Sequence, residues 1–262
     1  MLERDIGTPE MIRSIFRSLV IWSISGATFL FLWQLLLSNQ WVNPDLVPSV
    51  GGVLSSAEKI LLSAAFHKHL YATLEHLALG FFIAVPTGVA IGILIAESRY
   101  WGQVLKPIIY LVFSIPKTVF LPMFILAFGI GLFQKIAFGI FSTIFIILIC
   151  TFAAVDSVKS EHLKVARVFG ASRLQIALRV YLPSMAPILL EAVRLGMIFN
   201  VTGIILAEMY ASKVGLGQMI ANWGENFMLK ELGAGILIIS VATILFNETI
   251  QWFEMKFEHW RE

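Results

Sequence analysis

The sequence predicts an all-α membrane protein with about six transmembrane helices and both termini in the cytoplasm. Of its 262 residues, 58% are hydrophobic and only 14% are charged. Soluble proteins average about 45–50% apolar residues and about 25% charged residues. The apolar residues form six stretches, each long enough to cross a bilayer core about 30 Å thick as a helix of roughly 20 residues. Lysine and arginine are unevenly divided between the segments that connect these stretches.

The six expected spans, in chain order, are 19–37, 74–96, 107–128, 136–154, 188–207 and 232–252. They define a transmembrane domain over residues 19–252, preceded by an N-terminal segment of 1–18 and followed by a tail of 253–262. The first span is expected to be retained, because residues 18–44 carry no charged side chain. That run is longer than the apolar core of a signal peptide, which is about 7–15 residues.

The positive charges orient the chain, because cytoplasmic loops of membrane proteins are rich in lysine and arginine. With the N-terminus inside, twelve of these residues fall in cytoplasmic segments: Arg4, Arg13, Arg17, Arg99, Lys106, Lys159, Lys164, Arg167, Arg173, Arg179, Lys256 and Arg261. Five fall in outer loops: Lys59, Lys68, Lys135, Lys213 and Lys230. The imbalance places both termini and the segment 155–187 in the cytoplasm.

The second expected span carries small residues at every fourth position, namely Gly80, Ala84, Gly88, Gly92 and Ala96. Small residues let membrane helices approach closely, so this face is expected to pack against another helix. Pro86 lies in the same span and is expected to kink it.

The third expected span is irregular, since Pro116 and Pro122 interrupt it. Irregular membrane backbone is tolerated where it is buried in protein or lines a cavity, which makes both prolines candidates for a translocation pathway. Lys117 lies between them, and ionisable residues inside a membrane are functional by default. It could attract an anionic solute or form a structural ion pair. Glu208 is expected near the outer end of the fifth span. It could form part of a gate, pack between helices or pair with Lys117.

The segment 155–187 is expected to hold two short helices. Gly170 can end the first, because glycine adopts the left-handed conformation common at helix ends. Ser172 can start the second, and Gln175 three residues later completes a capping box. Pro183 and Pro187 are expected to close it before the fifth span. Such a rigid projection suits docking to a cytoplasmic partner.

The sequence carries no motif for several common kinds of site. The chain has no Gly-x-x-x-x-Gly-Lys-Ser/Thr loop for a nucleotide, and Cys150 is the only cysteine. His67, His69 and His76 lie near Glu75, but their spacing is not that of a tight metal site. The expectation is therefore no catalytic residue, metal site or nucleic-acid partner in this chain.

The sequence resembles the membrane permeases of bacterial ABC importers, in the branch that carries nitrate, sulfonates and taurine. The resemblance runs from about Val47 to the C-terminus. In the cytoplasmic segment it comprises Ala166, Gly170, Ala171, Ser172, Arg173, Leu182, Pro183 and Pro187. Elsewhere it comprises His69, Thr73, Leu74, Gly80, Phe81, Ile115, Pro116, Pro122, Phe128, Gly129, Ile130, Gly131, Ala207, Glu208, Met209, Gly215, Leu216 and Gly217. Lys164 stands where the family has an acidic residue, and His76 where an arginine is common.

The resemblance implies the type I ABC importer permease fold, in which 155–187 is the coupling loop between helices four and five. It implies that Ala166, Gly170, Ala171, Ser172, Arg173, Leu182 and Pro183 dock to an ATPase subunit, which would bind ATP and magnesium. Two permease copies, expected to be a homodimer, and a periplasmic or lipid-anchored binding protein would complete the importer in the inner membrane. The implied solute is a small anion such as a sulfonate, taurine, nitrate or an aromatic carboxylate. Import of a thiamine-precursor pyrimidine and a non-transport structural or sensory role are the alternatives.

Overall fold

The structure is a computed structural model that describes residues 9–39, 41–43 and 46–258. Every regular element within these residues is a helix. The α-helices are α1 (Pro9–Ser38), α2 (Val50–Leu61), α3 (Ala64–Glu97), α4 (Arg99–Ser114), α5 (Leu121–Phe128), α6 (Leu132–Asp156), α7 (Ser160–Val168), α8 (Arg173–Ile176), α9 (Leu182–Ala211), α10 (Leu216–Glu225) and α11 (Leu229–Glu258). A 3₁₀ turn (Lys117–Phe120) precedes α5, and a π-helical segment (Ala177–Tyr181) joins α8 to α9.

Within the described part of the chain, four helical stretches are long and apolar enough to cross a membrane, namely Ala64–Glu97, Leu132–Asp156, Arg173–Ala211 and Leu229–Thr249. They contain the expected second, fourth and fifth spans and most of the sixth. The expected first span lies within α1, whose apolar part is Ile24–Ser38. The ends of the two terminal segments, residues 1–8 and 259–262, lie outside the described residues.

The expected third span is not one helix, because Arg99–Ser114 and Lys117–Phe128 meet at a bend of 90°. Ile115 is extended, with φ −79° and ψ 130°. A residue before proline is driven out of the helical region by the proline ring, so Pro116 ends α4. Pro122 causes no break, because it lies in the first turn of α5. The N–H groups of a first turn have no acceptor within the helix, so the N–H that proline lacks is not missed there.

The bundle is built around α3, α6 and α9. The small residues of α3 lie against α6: a Cβ on Gly88 would come within 2.8 Å of Ile147, and one on Gly92 within 2.7 Å of Thr151. Ala84, on the same face, is fully buried. Pro86 lies inside α3 without ending the helix.

The expectation that Pro183 and Pro187 close a separate short helix is wrong. The chain is helical without interruption over Arg173–Ala211. Pro183 has no N–H for the ladder, and the adjoining π-helical segment accommodates it with a wider turn, in which the Leu182 N–H bonds to the Ala177 carbonyl. Tyr181 and Met185 are buried in an apolar cluster with residues of α3 and α6, and this tertiary packing favours a continuous helix.

Candidate functional site

The carboxylate of Glu208 ties three helices together at one end of the bundle. Glu208 is fully buried. Its Oε1 lies 2.7 Å from Nδ1 of His76 on α3, and the Thr73 hydroxyl donates to the carboxylate at 2.9 Å. The N–H of Gly217, in the first turn of α10, donates to Oε2 at 2.9 Å. We call Glu208, His76, Thr73 and Gly217 the Glu208 cluster.

The Glu208 cluster also holds the N-terminus of α10. The Leu216 N–H donates to Thr73 Oγ1 at 2.7 Å, so the first two amides of α10 both have acceptors. These amides have no partner inside their own helix, and the positive end of the helix dipole favours a carboxylate beside it. Nδ1 of His69 lies 3.1 Å from the Gly215 nitrogen. The arrangement therefore anchors α10 to α3 and α9.

Gly215 and Gly217 make room for this contact. Gly215 has φ +124°, a conformation that favours glycine, and a Cβ there would overlap the Glu208 carboxylate. A Cβ on Gly217 would lie 2.7 Å from the Glu208 Cβ and would overlap the Ile205 carbonyl. Both glycines are needed for the close approach of the loop to Glu208.

Lys135 was expected in an outer loop, and that expectation is wrong. It lies in the first turn of α6 and is only 3% exposed. Its Nζ bonds to the Gly131 carbonyl at 3.0 Å. The neighbouring Gln134 is fully buried, and neither of its amide atoms has a hydrogen-bond partner among the described residues. The sequence gives no sign of this burial, because Lys135 stands at the edge of an apolar stretch.

Lys117 does not pair with Glu208. Its ammonium turns back to the C-terminus of α4, where it donates to the carbonyls of Val112 at 3.2 Å, Phe113 at 2.7 Å and Ile115 at 3.0 Å. It also lies 4.8 Å from the centre of the Phe113 ring and 5.3 Å from that of Phe145. All three ammonium donors are therefore used, and they bond to carbonyls at the C-terminal end of α4, where a helix leaves acceptors without intrahelical partners. The Val112 carbonyl also accepts from the Ile115 N–H at 3.2 Å.

A cavity of about 180 Å³ lies beside this bend, between the 3₁₀ turn, α6 and α9. Pro116, Lys117 and Thr118 line one side, and Phe138 and Ser142 of α6 line another. Ser142 is 2% exposed, and its hydroxyl has no hydrogen-bond partner among the described residues. Pro122 belongs to α5 and is not among the lining residues.

The coupling segment, residues 155–187, has the local structure expected at Gly170 and Ser172. Gly170 has φ +73°, and α7 ends in a Schellman pattern with bonds from Ala171 N–H to the Ala166 carbonyl and from Gly170 N–H to the Arg167 carbonyl, both 3.0 Å. Ser172 and Gln175 form the complete capping box.

The coupling segment presents two faces. Ala166, Ala171 and Leu182 are half-buried against the apolar cluster at the ends of α3 and α6. Val168 and Phe169, by contrast, are 85% and 84% exposed. The remaining expected docking residues, Gly170, Ser172, Arg173 and Pro183, are exposed. Large apolar side chains exposed at a polar loop mark an interaction surface.

The described residues contain no group of three or more His, Cys, Asp or Glu residues placed to hold a metal ion. His76 bonds to Glu208, and Nδ1 of His67 lies 2.8 Å from the Ser63 carbonyl. The histidines of α3 thus take part in separate local contacts.

Comparison with protein families matches residues 88–258 to "Binding-protein-dependent transport system inner membrane component". The taurine transport system permease protein TauC of Escherichia coli (strain K12) is 30% identical, over 89% of this chain and 87% of its own. SsuC of Bacillus subtilis (strain 168), named for the transport of aliphatic sulfonates, is 28% identical over 90% and 85%. The riboflavin transport system permease protein RibX of Chloroflexus aurantiacus is 31% identical over 82% and 78%.

Solved structures share the fold. The MetNI methionine ABC transporter in an inward-facing conformation gives a TM-score of 0.64 at 18% identity, over 74% of this chain and 96% of that chain. A bacterial ABC transporter involved in the import of alginate gives 0.65 at 14% identity, over 95% and 99%. The fold is thus that of type I ABC importer permeases.

Proposed function

The chain belongs to the family of binding-protein-dependent transport system inner membrane components, and from that premise we propose how it works. It is a multi-pass inner-membrane permease and not an enzyme. In the proposed mechanism, it forms the pathway through which a small organic anion is imported, and a separate ATPase subunit binds ATP and magnesium and supplies the energy. A binding protein delivers the solute from outside, and a second permease copy completes the pathway.

The main support for the proposed ATPase contact is the exposed apolar face of the coupling segment. Val168 and Phe169 project from the end of α7 next to Gly170, and burying such side chains in a protein cleft is favourable. The Schellman pattern and the capping box hold this turn in one shape, so that docking orders little further chain. The half-buried face of the same segment rests on α3 and α6. A movement of the ATPase can therefore reach the membrane helices through packed side chains.

The solute proposal rests on the relatives. TauC and SsuC are named for taurine and aliphatic sulfonates, which makes a small sulfonate the first candidate, with nitrate and aromatic carboxylates as related anions. ThiX of Halalkalibacterium halodurans, 24% identical, is named for the transport of formylaminopyrimidine, which makes a thiamine-precursor pyrimidine the second candidate. If the chain has only a structural or sensory role, no ATP-linked uptake is expected.

Uptake by reconstituted protein tests the proposal. The chain is placed in proteoliposomes with its ATPase and binding protein, and accumulation of taurine, ethanesulfonate, benzoate and a thiamine-precursor pyrimidine is measured with and without internal ATP. We expect one of these anions to accumulate only when ATP is present. Accumulation of a pyrimidine alone would favour the second candidate, and no ATP-dependent accumulation of any probe would contradict the transport role.

A further inference from the structure

A cavity of about 580 Å³ lies between the end of α3 and the coupling segment. Its charged lining residues are Glu97 of α3 and Arg167 and Arg173 of the coupling segment. The exposed side chains of Val168 and Phe169, which we propose for the ATPase contact, do not line it. That contact therefore leaves the cavity unexplained.

The cavity lies at the level of a membrane surface. The apolar span Ala64–Glu97 ends at one of its lining residues. Tyr100 and Trp101, a few residues further along the chain, are 67% and 52% exposed. Exposed tyrosine and tryptophan side chains are typical of the interface between membrane and water. Phospholipid headgroups occupy this depth, so a lipid can reach the cavity from the side.

The turn at Gly170 sets the spacing of the two arginines. Arg167 lies in the last turn of α7, and Arg173 is the first residue of α8. The Schellman pattern and the capping box fix the chain between them. Among the described residues, neither arginine forms a salt bridge. A guanidinium binds phosphate through parallel hydrogen bonds, and basic pockets at the cytoplasmic side of membrane helices bind phospholipid headgroups.

Glu97 adds a negative charge to the same cavity. Its side chain is exposed, and it has no salt-bridge partner within the described part of the chain. The carboxylate would weaken the binding of a simple anion such as free phosphate, because like charges repel. A phosphoethanolamine group carries both a phosphate and an ammonium, so its charges complement two arginines and one carboxylate.

Apolar side chains continue from the cavity along α3. Leu94 lines the cavity and is 69% exposed. Ile91 and Ile83, about one and three turns deeper on the same side of the helix, are also exposed. Leu174 of α8 is 67% exposed and lines the wall formed by the coupling segment. The cavity volume corresponds to roughly twenty water-sized groups at about 30 Å³ each, which is enough for a headgroup and the start of an acyl chain.

We propose that this cavity binds a phospholipid with a phosphoethanolamine headgroup. Arg167 and Arg173 donate to the phosphate, and Glu97 accepts from the ammonium. One acyl chain lies along α3 over Leu94. The bound lipid bridges the end of α3 and the coupling segment, and its binding does not depend on which solute the chain imports.

Fluorescence quenching by spin-labelled lipids tests the site. Leu174→Cys in a Cys150→Ala background gives one thiol in the cavity wall, and this thiol is labelled with bimane. The full chain, in a maltoside detergent that carries no phosphate, is titrated with phosphatidylethanolamine, phosphatidylcholine or phosphatidylglycerol. Each lipid has a nitroxide near the top of one acyl chain, so quenching reports a bound lipid and not a free phosphate ester.

The half-quenching concentration is expected to be about three- to fivefold lower for phosphatidylethanolamine than for phosphatidylcholine. This ratio is what one partly exposed ion pair contributes, because the methyl groups of choline leave no N–H to donate to Glu97. Phosphatidylglycerol has no ammonium and is expected to bind more weakly than phosphatidylethanolamine.

Two variants assign the headgroup contacts, each with a matched control. Glu97→Gln is expected to abolish the preference for phosphatidylethanolamine, whereas Glu161→Gln, at an exposed position of α7 outside the cavity, should keep it. Arg167→Gln is expected to raise the half-quenching concentration of all three lipids about three- to fivefold, because all carry a phosphate. Arg179→Gln, also exposed and outside the cavity, should leave these concentrations unchanged.

The titration is repeated with the ATPase bound, and quenching is expected to persist. Its loss in that complex would assign the cavity to the ATPase interface and overturn the proposal. Equal binding of phosphatidylethanolamine and phosphatidylcholine, tighter binding of phosphatidylglycerol, or an unchanged preference in Glu97→Gln would overturn it as well.

Discussion

Oε1 of Glu208 and Nδ1 of His76 lie 2.7 Å apart, although 132 positions of the chain separate them. The family resemblance leads to the expectation of an arginine at position 76, and the histidine found there still reaches the carboxylate. Thr73 and Gly217 complete the contact. The Glu208 cluster therefore fixes how α3, α9 and α10 are placed relative to one another.

Glu208→Gln should destabilise the bundle. The amide replaces a carboxylate that accepts from Thr73, His76 and Gly217, and hydrogen bonds to a charged group contribute about 1.5–3 kcal/mol each. We expect a clear fall in the thermal unfolding midpoint of the detergent-solubilised protein. Glu225→Gln makes the same change at an exposed position of α10 and should leave the midpoint unchanged. Equal midpoints for both variants would show that the carboxylate is not needed for packing.

Gly217→Ala should loosen α10, whereas Gly224→Ala should not. A Cβ at position 217 would lie 2.7 Å from the Glu208 Cβ, while one at position 224 meets nothing within 4 Å. Overpacking of this kind costs about 1–3 kcal/mol, and alanine otherwise favours a helix. Protease cleavage in the loop 212–215 measures the effect, and we expect faster cleavage only in Gly217→Ala. Similar cleavage of both variants would argue against the close contact.

Lys117→Met should relax the bend between α4 and α5. The variant keeps a long apolar side chain but loses the three donors that cap Val112, Phe113 and Ile115. We expect broader distance distributions between spin labels at exposed positions 111 and 126 on the two sides of the bend. Lys106→Met removes a lysine that pairs with Asp156 at an exposed site and serves as the control. An unchanged distribution in Lys117→Met would mean that Pro116 alone maintains the bend.

Ser172→Ala should fray the start of α8. The Ser172 hydroxyl accepts from the Gln175 N–H, and loss of such a cap costs about 1 kcal/mol. Hydrogen exchange of the amide at position 175 should accelerate. Ser160→Ala, at the exposed first position of α7, removes no side-chain cap and should leave that rate unchanged. The same rate in both variants would contradict the role of the capping box.

Local chemistry made parts of the structure predictable. Gly170, Ser172 and Gln175 act within a few residues of one another, so their turn and cap follow from sequence alone. Pro116 acts on its immediate neighbour, and the irregularity of the third span follows from it.

The features that sequence reasoning missed depend on distant residues. Burial of Tyr181 and Met185 against α3 and α6 keeps the helix continuous through Pro183. The hydrogen-bond partners of Glu208 lie on other helices, α3 and α10. Hydropathy places Lys135 near the boundary of a span but does not show how deeply the side chain is buried. The unpaired hydroxyl of Ser142 can be recognised only once the neighbouring helices are in place.

Co-purification of an ATPase tests the docking of the coupling segment most directly. Gly170→Glu and Gly129→Glu place the same side chain at glycines with φ of +73° and +69°, and a Cβ meets nothing within 4 Å at either. The expected orientation puts these two glycines on opposite sides of the membrane. ATP hydrolysis is measured in protein purified in mild detergent from cells that carry the ATPase. We predict that wild type and Gly129→Glu retain the ATPase and that Gly170→Glu loses it. Wild-type levels of ATPase on Gly170→Glu would contradict docking through the coupling segment.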